Sequence, residues 1–278
     1  MADEWEIKIA LDDAMKFLSD KGYEVVCVNL YGSQNYGLDT ENSDMDFKAV
    51  VLPSIDDVIN NTSPVSTSLE FRGGLIDVKD IRLMFENYKK QNTNYLETLF
   101  TPYWTWRYPY CTEWTELRKM ANDIARADEV RALKSMYGMA LQKQAALCHP
   151  YPSKVDLIEK YGYDAKQLSH IMRLHTMVME YMQIPSISYA NILTLKDDQL
   201  IKNLIRSVKT YERAFSVEEA QKWAKFYVDE IKEKVDLVVS EQELYPVLNR
   251  VYQKMDEIKA RIIKKYFVRS LMSVNADI

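Results

Sequence analysis

Tyr31-Gly32-Ser33-Gln34-Asn35-Tyr36-Gly37-Leu38-Asp39-Thr40-Glu41-Asn42-Ser43-Asp44-Met45-Asp46-Phe47-Lys48 is the stretch on which the fold turns. It follows Val25-Val26-Cys27-Val28-Asn29-Leu30, a β-branched apolar run that predicts a buried strand ending at Gly32. Gly32 lacks a Cβ, so a tight turn there lets backbone N–H groups approach an anion, and the Ser33 hydroxyl adds a donor. Gly-Ser pairs are mostly plain turns, and Asp44 and Asp46 carry more weight. A second strand is predicted from Met45 to Leu52, stopped by Pro53. Two acids two residues apart share a face of such a strand, while Met45 and Phe47 point to the core. Like charges on one half-buried face destabilise a sheet unless a cation lies between them. A hard divalent ion such as Mg²⁺ suits carboxylate oxygens. The competing reading is an exposed edge with two solvated acids.

Outward from this stretch, Gly73-Gly74 introduces a third strand, Leu75-Ile76-Asp77-Val78, and Asn60-Asn61-Thr62-Ser63-Pro64 is a loop. Glu6 to Leu18, Ile81 to Tyr88 and Tyr95 to Phe100 read as helices. Trp104, Trp106 and Trp114 cluster in an aromatic segment that links or braces two domains. Beyond it, segments 113–148, 154–161, 164–182, 197–213, 216–239 and 244–271 place apolar residues at three- and four-residue steps. The expected fold class is α+β: a mixed β-sheet flanked by helices over residues 1–112, followed by an all-α domain over 113–278.

With 278 residues, two domains are the better expectation. A hydrophobic fraction of 47%, with only 7 Gly and 8 Pro, excludes a disordered or low-complexity chain. No apolar run is long enough to span a membrane. Met1-Ala2-Asp3-Glu4-Trp5-Glu6 is acidic where a signal peptide would be basic. Cys27, Cys111 and Cys148 fit neither a zinc spacing nor a disulfide framework, so a cytoplasmic location is expected. Residues 1–110 hold 18 Asp/Glu against 10 Lys/Arg, and the rest 23 against 26. The asymmetry suits an acidic metal-binding site beside a more basic arm, or is ordinary surface variation.

The strand, the Gly32-Ser33 turn, the spacer and Asp44-x-Asp46 between apolar residues resemble the DNA polymerase β-like nucleotidyltransferase superfamily. More narrowly, Tyr36-Gly37-Leu38, Ser43-Asp44, Asn94…Glu97 and Gly162-Tyr163-Asp164-Ala165-Lys166…His170…Arg173 resemble its branch of predicted nucleotidyltransferases from bacteria and phages. In Asn94…Glu97 the two residues stand one position closer than that branch's pattern. The resemblance implies metal-dependent transfer of an NMP from an NTP to an acceptor hydroxyl, with release of pyrophosphate. Asp44 and Asp46 would then bind Mg²⁺ (or Mn²⁺). Asp77 would be the third carboxylate, binding a second ion of the same kind and helping to activate the acceptor hydroxyl as a base, with Asp80 in reserve. Gly32, Ser33 and Lys48 would face the nucleotide, although Lys48 reads equally as a solvated side chain. Lys166, His170 and Arg173 share a helix face and imply a phosphate or acceptor contact, His170 reading equally as structural.

The acceptor implied is an RNA end or tRNA, ahead of a protein or a small molecule, with no membrane involved. Residues 246–271 carry seven Lys/Arg against Asp256 and Glu257, which suggests RNA, although their apolar stripe also fits a packed helix with a wet basic face. Alternatives are a toxin–antitoxin or defence component and an inactive nucleotide-binding module. His149 and His175 read as structural.

Overall fold

The computed structural model describes residues 3–40, 43–183, 187–196 and 198–276, with side chains to residue 272. Glu41 and Asn42 of the opening stretch lie outside them. Helix α1 (Glu4–Asp20) starts at a capping box in which Asp3 accepts from the Glu6 N–H and Glu6 from that of Asp3. Then come β1 (Glu24–Tyr31), the single turn α2 (Ser33–Tyr36), β2 (Asp46–Leu52), α3 (Ile55–Ile59), β3 (Ser66–Phe71) and β4 (Gly74–Asp80). Helices α4 (Ile81–Lys89) and α5 (Thr93–Leu96), strand β5 (Trp104–Trp106), and helices α6 (Cys111–Lys119) and α7 (Ala121–Ala125) follow. The remainder is helical: α8 (Glu129–Ala146), α9 (Val155–Tyr161), α10 (Ala165–Gln183), α11 (Tyr189–Thr194), α12 (Gln199–Lys209), α13 (Val217–Ser240) and α14 (Asn249–Ala276). Among the described residues no helix is long and apolar enough to cross a membrane.

The sheet runs β3-β4-β2-β1-β5, with β2 parallel to β4 and the other neighbours antiparallel. It is the mixed sheet expected from the sequence. Alternation decides its two faces. Phe47, Ala49, Val51, Ile76, Val78, Val28 and Leu30 turn to α1 and bury Ile7, Leu11, Ala14 and Leu18 against them. Each large side chain so buried contributes about 1.5–3 kcal/mol. On the other face α4 packs on β2 and β4. Gly74 opens β4 because no side chain fits there: an added Cβ would lie 2.4 Å from the Met45 carbonyl oxygen.

The chain divides into two compact units, residues 1–35, 42–127 and 248–278, and residues 36–41 and 128–247. A boundary at 112/113 differs from this division. Trp114, Leu117 and Ile124 of α6 and α7 are buried with Val251, Met255, Ile258 and Ile262 of α14, and α14 packs on α4, α6 and α7. The first unit thus takes back the last helix. In the second unit α8, α10 and α13 pack on one another, with α12 against α10.

Three expectations need correction in detail. Segment 113–148 is not one helix but α6, α7 and α8, the last begun afresh where Asp128 accepts from the Arg131 N–H at 2.9 Å. β3 and β5 are strands that the apolar pattern does not announce. Asp44, which is exposed, lies just before β2 rather than on it, since the strand begins at Asp46. Pairing starts at Asp46 opposite Tyr31, where β1 ends in the Gly32 turn.

Candidate active site

The first unit gathers charge on the face of β2 and β4 turned away from α1. Lys48 and Asp77 are register partners, so their side chains leave the same side of the sheet. Lys48 Nζ lies 3.1 Å from Asp77 Oδ2, and Lys79 Nζ 3.0 Å from Asp77 Oδ1. The Tyr95 hydroxyl donates to Asp77 Oδ2 at 3.3 Å. Lys48 is only 4% exposed, with its ammonium 3.7 Å from the Tyr31 ring centroid and 4.7 Å from that of Tyr95. The reading of Lys48 as a solvated lysine is therefore overturned. Burial pulls its pKa below the usual lysine value, and the Asp77 carboxylate opposes that shift. Burial pushes the Tyr31 hydroxyl up, reinforced by Asp46, Asp77 and Glu97 nearby, so the phenol stays neutral.

Asp46 stands at the head of β2, and its Oδ1 accepts the Leu75 N–H at 3.1 Å. The bare Gly74 makes this approach possible. The Gly32 turn has φ +93°, a conformation that L side chains rarely adopt. Its N–H, expected to face a phosphate, instead donates to the buried Glu97 carboxylate at 2.9 Å. Ser33 is half-buried in the turn α2. Asp80, the reserve third acid, is fully buried, caps α4 through the Arg82 N–H at 2.8 Å and pairs with the Arg82 guanidinium at 2.6 Å. That places it in the scaffold.

The second unit holds Lys166, His170 and Arg173 on α10. Arg173 is buried, its guanidinium 3.5 Å from the Tyr36 ring centroid and 3.1 Å from the Leu193 carbonyl oxygen. Lys166 is exposed and His170 half-buried. Burial, helped by the surrounding Lys143, Arg173, Lys166 and Lys209, drives the His170 pKa well below its ordinary value and keeps the ring neutral. Arg206 donates to the Gly37 carbonyl at 2.5 Å and Lys209 to that of Leu38 at 2.8 Å. Sequence reasoning missed Lys143, Arg206 and Lys209, because helical bases at those spacings look like solvated faces. His175 bonds Glu230 at 2.6 Å and His149 packs on Tyr151.

The sequence profile described as the RNA repair pathway DNA polymerase beta family matches residues 8–254. The chain belongs to that family. A crystal structure of a nucleotidyltransferase-like protein from Exiguobacterium sibiricum 255-15 is similar at 11% identity, covering 95% of this chain and 91% of that one, with a TM-score of 0.33. No curated protein matches the chain. Membership of a polymerase beta family makes transferase chemistry the frame for the sheet face. The donor chemistry there suits a hard divalent cation, since Asp44 is exposed and Asp46 spends one described hydrogen bond on Leu75. Asp77 is different, because two ammonium groups already neutralise it. Among the described residues no three His, Cys, Asp or Glu side chains form a metal-holding group.

Proposed function

We propose that the protein transfers a nucleoside monophosphate from an NTP to an acceptor hydroxyl and releases pyrophosphate. The observation that carries this reading is the face shared by Asp46, Lys48 and Asp77 on β2 and β4, beside the Gly32 turn, in a chain of a polymerase beta family. The acceptor oxygen forms a bond to the α-phosphorus, the bond to the β-phosphate bridge breaks, and pyrophosphate leaves with the electron pair. Asp77 takes the hydroxyl proton, and Lys48 with Tyr95 fixes its carboxylate for that task. A Mg²⁺ or Mn²⁺ ion held by Asp44 and Asp46 would supply positive charge for the triphosphate. Gly32 and Ser33 shape the turn against which the nucleotide lies, and Lys48 acts through Asp77 rather than as a free phosphate contact. Within the helical unit Lys166 is the exposed cation of the α10 face and would bind an anionic group there. His170, neutral, donates or accepts a hydrogen bond, and Arg173 fixes Tyr36.

The family description points to an RNA-related pathway, which supports an RNA end or tRNA as acceptor over a protein or a small molecule. The test is incubation with each α-labelled NTP, Mg²⁺ or Mn²⁺, and total RNA and protein. Label in the RNA fraction supports the reading, label in protein moves the acceptor to the alternative of a defence or toxin–antitoxin component, and no label with any NTP overturns it. One observation favours a second reading, an inactive nucleotide-binding module: both Asp77 oxygens are engaged by lysines. NTP binding without pyrophosphate release would select it.

A further inference from the structure

The first unit contains a cleft of about 830 Å³ that shares no lining residue with the Asp46–Asp77 face. One wall is Tyr108, Pro109, Cys111, Thr112 and Glu113. The other is the basic side of α14, where Arg261, Lys264, Lys265, Val268 and Arg269 stand. We propose that this cleft binds single-stranded RNA, with phosphates along α14 and a base stacked on Tyr108. The proposal rests on the RNA-acceptor reading above and gives that acceptor a place.

The cations divide into two sets. Lys265 pairs with Glu113 at 2.6 Å, Arg269 donates to the Tyr108 carbonyl at 3.4 Å and stands 3.9 Å from Glu24, and Arg261 pairs with Glu116. These contacts fix the two walls to each other, so the cleft is built rather than incidental. Lys264 is exposed and makes no hydrogen bond or ion pair among the described residues. It is charge left over for a ligand.

Tyr108 supplies the aromatic surface of the cleft. Its carbonyl is held by Arg269, yet the residue is 79% exposed, and Val268 across the cleft is also exposed. A large ring held at the rim beside a free cation is what a single strand uses, because every base offers a face for stacking and every linkage a negative charge. A duplex keeps its bases stacked inside and an acidic protein has no need of the ring. The last helix, expected in the helical domain, thus brings its basic side to the unit that carries the sheet.

The experiment is fluorescence anisotropy of the full chain with fluorescein-labelled oligouridylate at two salt concentrations, without NTP, alongside the matched DNA strand and a polyglutamate peptide. Lys264→Glu should weaken RNA binding about tenfold at low salt and flatten its salt dependence. Tyr108→Ala should weaken it about fivefold or more with the salt dependence unchanged. Circular dichroism checks that both variants fold. Wild-type affinity in both variants, absence of RNA binding by the parent, tighter binding of the DNA strand, or polyglutamate binding as tight as RNA would each overturn the proposal. Asp46→Asn separates the two readings: it should bind RNA as the parent does while losing transfer.

Discussion

Lys48 and Asp77 face each other across the parallel pair β2 and β4, Nζ to Oδ2 at 3.1 Å, with both side chains largely removed from water. Breaking a buried pair costs more than the pair contributes, since the surviving charge stays desolvated. Lys79 still reaches Asp77, so Lys48→Met should cost about 2–3 kcal/mol, somewhat below the usual loss for a buried pair. Removing both charges with Asp77→Leu should recover part of it. Urea unfolding of the two variants checks this, and an unchanged midpoint for Lys48→Met would mean that the pair is not formed.

Asp46 should separate chemistry from folding. Asp46→Ala gives up the hydrogen bond from the Leu75 N–H, worth about 1 kcal/mol, and should abolish nucleotidyl transfer. Asp46→Asn keeps an acceptor for that N–H, so its stability should equal the parent's while transfer is still lost. Thermal melts and turnover on the same preparations decide it. Full activity in either variant would remove Asp46 from the reaction.

Gly74 is a steric requirement. An alanine Cβ would meet the Met45 carbonyl oxygen at 2.4 Å, a backbone atom that cannot rotate away. Gly74→Ala should therefore lose about 1–3 kcal/mol as the strand shifts to relieve the overlap. It should also lower transfer, because the same approach places Leu75 on Asp46. A variant as stable as the parent would show that this end of β4 yields easily.

The two histidines of α10 should make stability fall below neutral pH. Burial lowers the pKa of both His170 and His175 from the ordinary value of 6.5, so below that value the unfolded chain binds protons that the folded chain does not. Stability should fall as pH drops through 6.5, by at most about 1.4 kcal/mol per pH unit for each ring. His170→Asn should flatten the decline between neutral pH and about pH 5, measured by urea midpoints. An identical slope in the variant would mean that His170 protonates freely in the native state.

The sheet's centre was legible because β1, β2 and β4 are written in apolar residues bounded by glycine and proline. β3 was not, since Ser66-Thr67-Ser68-Leu69-Glu70-Phe71 is an edge strand with no continuous apolar run, and β5 is three residues long. Asp46 and Asp77 could be placed on one face from alternation alone. Lys48 could not be read as buried, because what buries it are Tyr31 and Tyr95, and Tyr95 lies on a helix remote in sequence. Glu97 was visible as a motif residue, but its bond to the Gly32 N–H depends on how α5 returns to the end of β1. The last helix showed its basic face plainly. Its packing on α4, α6 and α7 is a tertiary choice that periodicity does not encode.

The most direct measurement of the central claim is pyrophosphate release by the purified chain with each NTP, Mg²⁺ and total RNA, compared with Asp46→Asn at equal stability. Release by the parent with at least one NTP, reduced a thousandfold or more in the variant, is the predicted result. Equal release by the two proteins, or none from the parent under any NTP and metal, would contradict nucleotidyl transfer from the Asp46–Asp77 face.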